Sequence, residues 1–315
     1  MASFISAVRN ADFYIKKQKG KRKMVITIGI PTFNEEKVIS RAIYSVLNQI
    51  SKKDEIIVVA SGCTDNTVPI VRAIAKKDKR VRLITERERR GKASAINLII
   101  KNAKGDIIVQ TDGDVEVEYG AIKYLLGHFK NKKVGAVSGN PIPIIPQDNL
   151  FFDWTKMSYR KIGELREKEM ADKTFNVHLS GYLLAFRKKA LKEVPFAKGA
   201  VDAWMGKIIK ENGYYLTYEP KARVYVRAPL NIKDFLAQKA RVRAGYAYLP
   251  EAPRTMKSEI FYFPRELLRI PLWRWPQFIF CGFVYLYSWF LGGYFKKKDK
   301  SLKEIWKTPE STKRN

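Results

Sequence analysis

Asp112, Gly113 and Asp114 place two carboxylates one residue apart, at the end of a mostly apolar run. Two acids this close repel one another unless a cation compensates them. Their oxygens suit Mg2+ or Mn2+, ions that commonly bridge to substrate phosphates. Glu116, two residues further on, is a third candidate ligand. A solvated acidic turn has the same spelling, so the pattern gains weight from its surroundings. The 315 residues include 60 Lys+Arg against 31 Asp+Glu, a net charge of +29. Charge of that size fits an acidic partner: nucleic acid, an anionic lipid headgroup or a phosphorylated ligand. No nucleic-acid motif is present, so nucleic acid is not expected as a partner. The 2 Cys cannot build a disulfide framework, which suits a reducing setting, and the 2 His leave little room for a His-rich metal site.

The elements that must position the acids alternate in type. Val25–Ile30 reads as a buried strand, ended by Pro31-Thr32-Phe33. Asn34 is a candidate helix N-cap, with Glu35 and Glu36 in the first turn. Glu55–Ala60, Val81–Thr85, Asp106–Thr111 and Val134–Ser138 are further strands, with helical segments between them. The expected fold is α/β, a mostly parallel twisted sheet with helices on both faces. Right-handed crossovers then gather Pro31–Glu36, Ser61–Asn66, Glu86–Lys92 and Asp112–Glu116 into one crevice at the carboxyl ends of the strands. A Gly-rich dinucleotide fingerprint and a Walker A motif are both missing.

Seven motifs, in order from about Val25 to Tyr246, resemble the family 2 glycosyltransferases of the GT-A fold. They are VITIGIPTFNEE, EIIVVASGCTDNT, GKASAIN, GDIIVQTDGD, the pair VGAVSGNP and LSGYLLAFRKKAL, the stretch from Ala200 to Trp204 followed by ENGYYLTYEPKARVYV, and Gln238-Lys239-Ala240-Arg241-Val242. The resemblance implies an inverting transferase that uses a nucleotide-sugar donor and Mg2+ or Mn2+. It implies Asp202 as general base, with Asp112, Asp114 and Glu116 around the metal. Pro31, Asn34, Glu36, Asp65, Lys92, Asp112 and Arg241 would bind the donor, and Gly181 and Gln238 the acceptor. Departures are specific. Ala60 and Ser61 stand where the family usually carries an Asp pair, Val201 where it often has Glu, Arg227 where many relatives have His, and Val242 in place of the signature's Trp. From the residues alone, Asp202 could equally cap the helix that follows it, and Asp65 likewise.

Trp275–Phe295 is an uncharged run of 21 residues, ten of them aromatic. As a helix it would be roughly 30 Å long, enough to cross a bilayer core. Basic residues flank it on both sides, which a single crossing does not explain. Pro271, Pro276, Gly282 and Gly292-Gly293 could break it, so in-plane or re-entrant attachment is as consistent as a span; a buried core helix is the alternative. Three regions are expected: a basic segment 1–24, a catalytic domain 25–252 and a membrane-associated tail 253–315 with a basic end. Their net charges are +6, +15 and +8. The expected protein is a membrane-associated glycosyltransferase on the cytoplasmic face of the cell membrane. Its acceptor would be lipid-linked, such as a polyprenol-phosphate saccharide or a glycolipid, or another glycan. A polyprenol-phosphate sugar synthase and a non-catalytic scaffold are the alternatives.

Overall fold

The computed structural model describes residues 24–171, 177–195, 200–246, 256–297 and 310–313. The basic segment expected at 1–24 lies outside them except for Met24, as does most of the basic end of the tail. Strands β1 (Ile26–Thr32), β2 (Glu55–Ser61), β3 (Val81–Glu86) and β4 (Ile107–Thr111) form a parallel block in the order β3-β2-β1-β4. Every residue of β1, β2 and β4 is buried. Both faces are covered, which is why these segments read as continuous apolar runs. Helices α1 (Ile39–Leu47) and α2 (Thr67–Lys77) cover one face, where Ile43 and Val71 join Ile28 and Val58 in one core. Helix α3 (Lys92–Asn102) covers the other, where Ile96 and Ile99 pack with Ile57 and Ile108. Pro31 does not end β1: the strand continues to Thr32, beside β2, after the ladder with β4 has ended at Gly29.

The expectation for Asn34 fails. Helix α1 starts at Ile39 with Val38 before it, so Glu35 and Glu36 are not in its first turn. Asn34 instead holds φ at 53°, in the left-handed region that Asn tolerates better than most residues.

The second half changes the sheet. It contains β5 (Val115–Val117), α4 (Ala121–Gly127), β6 (Val134–Ile144), α5 (Phe152–Ala171), β7 (Leu183–Arg187), α6 (Val201–Glu211), β8 (Tyr215–Arg227) and α7 (Ile232–Tyr246). The full order is β3-β2-β1-β4-β7-β6-β8-β5. Strand β7 runs antiparallel to both β4 and β6, and β5 runs antiparallel to β8. The sheet is therefore mixed rather than mostly parallel. The reason is the way the chain re-enters. Leu183 pairs with Thr111, so β7 begins at the edge where β4 ends. That reversal brings Ser180-Gly181-Tyr182 to the carboxyl end of β4, beside the acidic turn.

Helices α8 (Met256–Leu267) and α9 (Trp275–Lys297) close the described fold. The inner side of α9 packs on α5 and α7, burying Phe278, Cys281 and Ser288. Phe151 stacks on Phe235 at 4.3 Å, and Trp154 sits 5.2 Å from Phe278, so this junction is an aromatic core of its own. The outer side leaves Phe283 66% and Phe290 77% exposed. Helix α9 runs unbroken through Gly282 and Gly292-Gly293. Pro276 lies in its first turn, where a missing N–H costs little. No helix among the described residues is long and apolar enough to cross a membrane. Of the alternatives left open for this run, the span therefore loses its support: Trp and Tyr dilute the apolar character of α9, and one side of it is packed on the domain.

Candidate active site

The edge formed by β4 and β7 assembles four of the expected residues. Lys92, at the start of α3, places Nζ 2.5 Å from Asp112 Oδ1 and donates to the Gly181 carbonyl at 3.3 Å. Gln110 Nε2 donates to the same carbonyl at 3.2 Å. The Gly181 N–H donates to Asp202 Oδ2 at 3.0 Å. Asp202 stands in the first turn of α6, where its Oδ1 accepts from the Ala203 N–H at 3.0 Å. The positive end of the helix favours a carboxylate there. Asp202 is not the N-cap: the helix starts at Val201 with Ala200 before it, so Asp202 lies inside the first turn, with Oδ1 on the next residue's N–H and Oδ2 on the Gly181 N–H. A methyl group on Gly181 would lie 3.1 Å from Lys92 Nζ and 3.4 Å from Asp202 Oδ2, so glycine keeps this junction open.

The acidic turn is tightly held. A Cβ on Gly113 would meet Thr32 Oγ1 at 2.7 Å, which ties the turn to the end of β1. Burial pushes the Asp112 carboxyl up to about 6, with the charges of Asp114 and Asp202 adding to it and Lys92 opposing it. Two hard carboxylates one residue apart, with a single lysine on Asp112, are a donor set that fits Mg2+ or Mn2+. Glu116 is placed differently. It lies on β5 with its Oε1 3.0 Å from Arg227 Nη2 and 3.6 Å from Arg41 Nε. Among the described residues no three His, Cys, Asp or Glu side chains are grouped to hold a metal.

The remaining residues expected on the donor side lace the loops after β1 and β2. Asn34 Nδ2 donates to Thr64 Oγ1 at 3.0 Å, and its Oδ1 accepts from the Thr64 N–H at 2.8 Å. Asp65 accepts from the N–H groups of Glu36 and Thr67, and Glu36 accepts from the Asn66 N–H. Burial raises the Asp65 carboxyl, but hydrogen bonds from Thr67 and the Glu36 N–H outweigh it and hold it below the usual range. Pro31 is buried within β1. Arg89 spans to the Phe33 ring at 3.9 Å, joining the third loop to the first.

A cavity of about 700 Å³ opens beside this edge. Lys92, Asp112, Gly181, Asp202, Gln238 and Arg241 all line it. Pro31, Asn34, Glu36 and Asp65 do not. They frame the neighbouring loops. So residues scattered from 92 to 241 share one chamber, and the first two loops do not line it.

The sequence of the central sheet decides what this chamber belongs to. Residues 27–195 match the profile of Glycosyl transferase family 2. The chain belongs to that family. It is 28% identical over 281 residues to the poly-beta-1,6-N-acetyl-D-glucosamine synthase of Staphylococcus aureus strain COL, covering 85% of this chain and 64% of that protein. The synthase of the same name from Staphylococcus epidermidis is 27% identical over 255 residues, covering 74% and 60%. The chain thus spans somewhat under two thirds of the length of these curated relatives. Its fold is shared with mannosyltransferase PcManGT from Pyrobaculum calidifontis, in complex with GDP-Man and Mn2+, at a TM-score of 0.64, 20% identity and coverage of 90% and 89%. It is also shared with a fragment of S. aureus TarS in complex with UDP, at a TM-score of 0.50, 18% identity and coverage of 81% and 78%.

Residues that sequence reasoning missed around this candidate site are now visible. Tyr159 and Tyr182 line the cavity and bond to each other through their hydroxyls. Burial pushes Tyr159 up to about 12, and the pairing with Tyr159, together with burial, holds Tyr182 well above the usual range. Glu35 is 6% exposed at the end of the first loop. Lys313 Nζ lies 3.2 Å from its Oε1 and also donates to the carbonyls of Phe33 and Asn34. Burial, with Asp114 and Asp112 adding to it, nonetheless pushes Glu35 up to about 8. Periodicity carries no signal for a pairing between residues 35 and 313.

Proposed function

We propose that this family 2 glycosyltransferase moves a sugar, with inversion, from a nucleotide-sugar donor to a hydroxyl of a lipid-linked acceptor at the cytoplasmic face of a membrane. The observation that carries the reading is the shared chamber in which Asp202 stands beside Lys92, Asp112 and Gly181, walled on one side by α8 and α9. The GDP-Man and Mn2+ bound by PcManGT, which has the same fold, support the donor class and the ion.

The loops after β1 and β2 would hold the nucleoside, through Pro31, Asn34, Glu36 and Asp65. Asp202 accepts the proton of the acceptor hydroxyl as its oxygen bonds to the anomeric carbon. The bond from that carbon to the donor's phosphate oxygen breaks at the same time, and the nucleoside diphosphate leaves. One displacement inverts the carbon. Lys92 and Arg241 offset the negative charge that develops on the departing diphosphate. Asp112 and Asp114 would hold Mg2+ or Mn2+, which would supply further positive charge at the leaving group. In this reading Glu116, engaged by Arg227 and Arg41, stays outside that ligand set. Gly181 and Gln238 border the acceptor side.

The exposed aromatic side of α9, with the exposed Arg265 on α8, suits in-plane attachment to a membrane surface, while Arg269 and Arg274 are engaged by Glu164, Glu266 and Asp153 within the fold. The test is a transfer assay with membranes and a panel of nucleotide sugars, with and without Mn2+. Transfer from one nucleotide series, lost in Asp114→Ala, is the expected result. No transfer from any donor, with Asp114→Ala indistinguishable from the parent, would overturn the reading.

A further inference from the structure

Strand β5 leaves the acidic turn and pairs with β8, Val115 opposite Val226 and Val117 opposite Val224. These four valines face the core and are buried in it. The other face of the ladder is charged. Glu118 lies 3.6 Å from Arg223 Nη1 and accepts from the Tyr225 hydroxyl at 2.8 Å. Glu116 accepts from Arg227 Nη2 at 3.0 Å and has Arg41 Nε, of α1, 3.6 Å away. Carried one residue further, the register sets Arg227 across from Asp114 on this same face, since opposite residues of an antiparallel pair share a side. Arg227 therefore stands at the Asp114 end of the acidic turn, as Lys92 stands at Asp112.

One arm of the Arg227 guanidinium is spent on Glu116. The other is not: Nη1 is buried and has no hydrogen-bond partner among the described residues. It is therefore not bonded to the Asp114 carboxylate across from it. A buried guanidinium N–H left without an acceptor is costly, and folded proteins seldom keep one without a use. The guanidinium presents its N–H groups as a planar fork that matches phosphate oxygens. Here one prong is anchored by a carboxylate and the other is left for a ligand beside the acidic turn.

We propose that Arg227 is a contact of the donor diphosphate: its Nη1 donates to a phosphate oxygen at the Asp114 end of the acidic turn, while Glu116 anchors the guanidinium through Nη2. The inference rests on the sugar-transfer reading and adds to its donor site a residue that does not line the chamber shared by Lys92 and Arg241. Lys92 and Arg227 then bracket the turn, one cation beside each carboxylate, and the diphosphate lies between them. A cation fixed there by the fold is in place before the leaving group's charge develops.

The test is calorimetric titration of the full chain with GDP, UDP, guanosine and uridine, with and without Mn2+. The diphosphate that binds the parent should bind Arg227→Gln about tenfold or more weakly in both conditions, as loss of a charge-assisted hydrogen bond to phosphate implies. The matching nucleoside should bind both proteins alike. Arg227→Lys keeps the charge without the fork, so its diphosphate affinity should fall between the two. Glu116→Gln is the control for a merely structural role, and it should weaken diphosphate binding by less than about threefold. Equal diphosphate affinity in the parent and Arg227→Gln would overturn the contact. A loss shared by nucleoside and diphosphate, or matched by Glu116→Gln, would show that Arg227 only braces β5, and would overturn it too. If Arg227→Gln fails to fold, Arg227→Lys decides: a loss of about threefold or more for the diphosphate alone is expected, and no loss overturns the proposal. A parent that binds no nucleoside diphosphate strikes the donor reading itself, and this contact with it.

Discussion

Asp202 is the residue on which the proposed chemistry turns, and its side chain is held from both sides. Its Oδ1 takes a helix N–H and its Oδ2 takes the Gly181 N–H, so its position is fixed from two elements. Asp202→Asn keeps the shape and most of the bonding but cannot take a proton. Turnover should fall by about a hundredfold or more while donor affinity stays within twofold, a split read from kcat and from nucleotide titration. Glu35 makes the second prediction at this scale. Its pKa is about 8 in the folded chain against an ordinary 4.5. Between those values the folded state binds the extra proton. Stability should therefore fall as pH rises from about 5 to about 8. Denaturant unfolding of metal-free Glu35→Gln across that range should show a flatter profile. Asp114, Asp112 and Lys313 also face this carboxyl, so the comparison is with the parent under identical conditions.

At the scale of the element, β7 and α9 do the positioning. A strand entering antiparallel to β4 delivers Gly181 and Tyr182 to the acidic turn. Parallel entry would place them at the opposite edge. Helix α9 bears α7, which carries Gln238 and Arg241, and Arg243 reaches back to the Tyr285 hydroxyl at 2.5 Å. Among the described residues the outer side of α9 has no comparable packing. Phe283→Ser with Phe290→Ser should therefore leave folding stability within about 1 kcal/mol, as for exposed positions generally. Cosedimentation with vesicles of mixed neutral and anionic lipid should drop severalfold. A large loss of stability without loss of vesicle binding would show α9 to be a core helix and not an attachment surface.

The whole molecule is defined by +29. That number first admits any acidic partner. The fold divides the charge: Lys92 and Arg241 line the chamber beside Asp112 and Asp202, a second group of cations on α5 and α7 lines it further out, and Arg265 lies exposed on α8. Charge at a membrane surface is screened as the Debye length shrinks from about 10 Å at 0.1 M salt to about 3 Å at 1 M. Vesicle binding by the parent should accordingly weaken across that range without disappearing, because the aromatic contacts remain. Complete insensitivity to salt would remove the electrostatic part of the attachment.

The central sheet was legible from residues 25 to 111 because those strands are buried on both faces and their helices are amphipathic. The loops at the carboxyl ends were legible too, since crossover handedness leaves one edge for them. The motifs near Asp112, Asp202 and Gln238 identified the family. Other features needed the third dimension. The sheet is mixed because β7 pairs by where the chain re-enters, which no local pattern encodes. Asn34 left its expected cap because the Ser61–Asn66 loop offered its side chain stronger partners than the distant start of α1. The 21-residue apolar run became one unbroken helix lying along the domain, because α5 and α7 offer it an aromatic face. Sequence by itself determined which residue types could do the chemistry and in what order they come. The tertiary structure decided which of them meet, since contacts such as Lys92 with Gly181 or Glu35 with Lys313 join residues that no local periodicity relates.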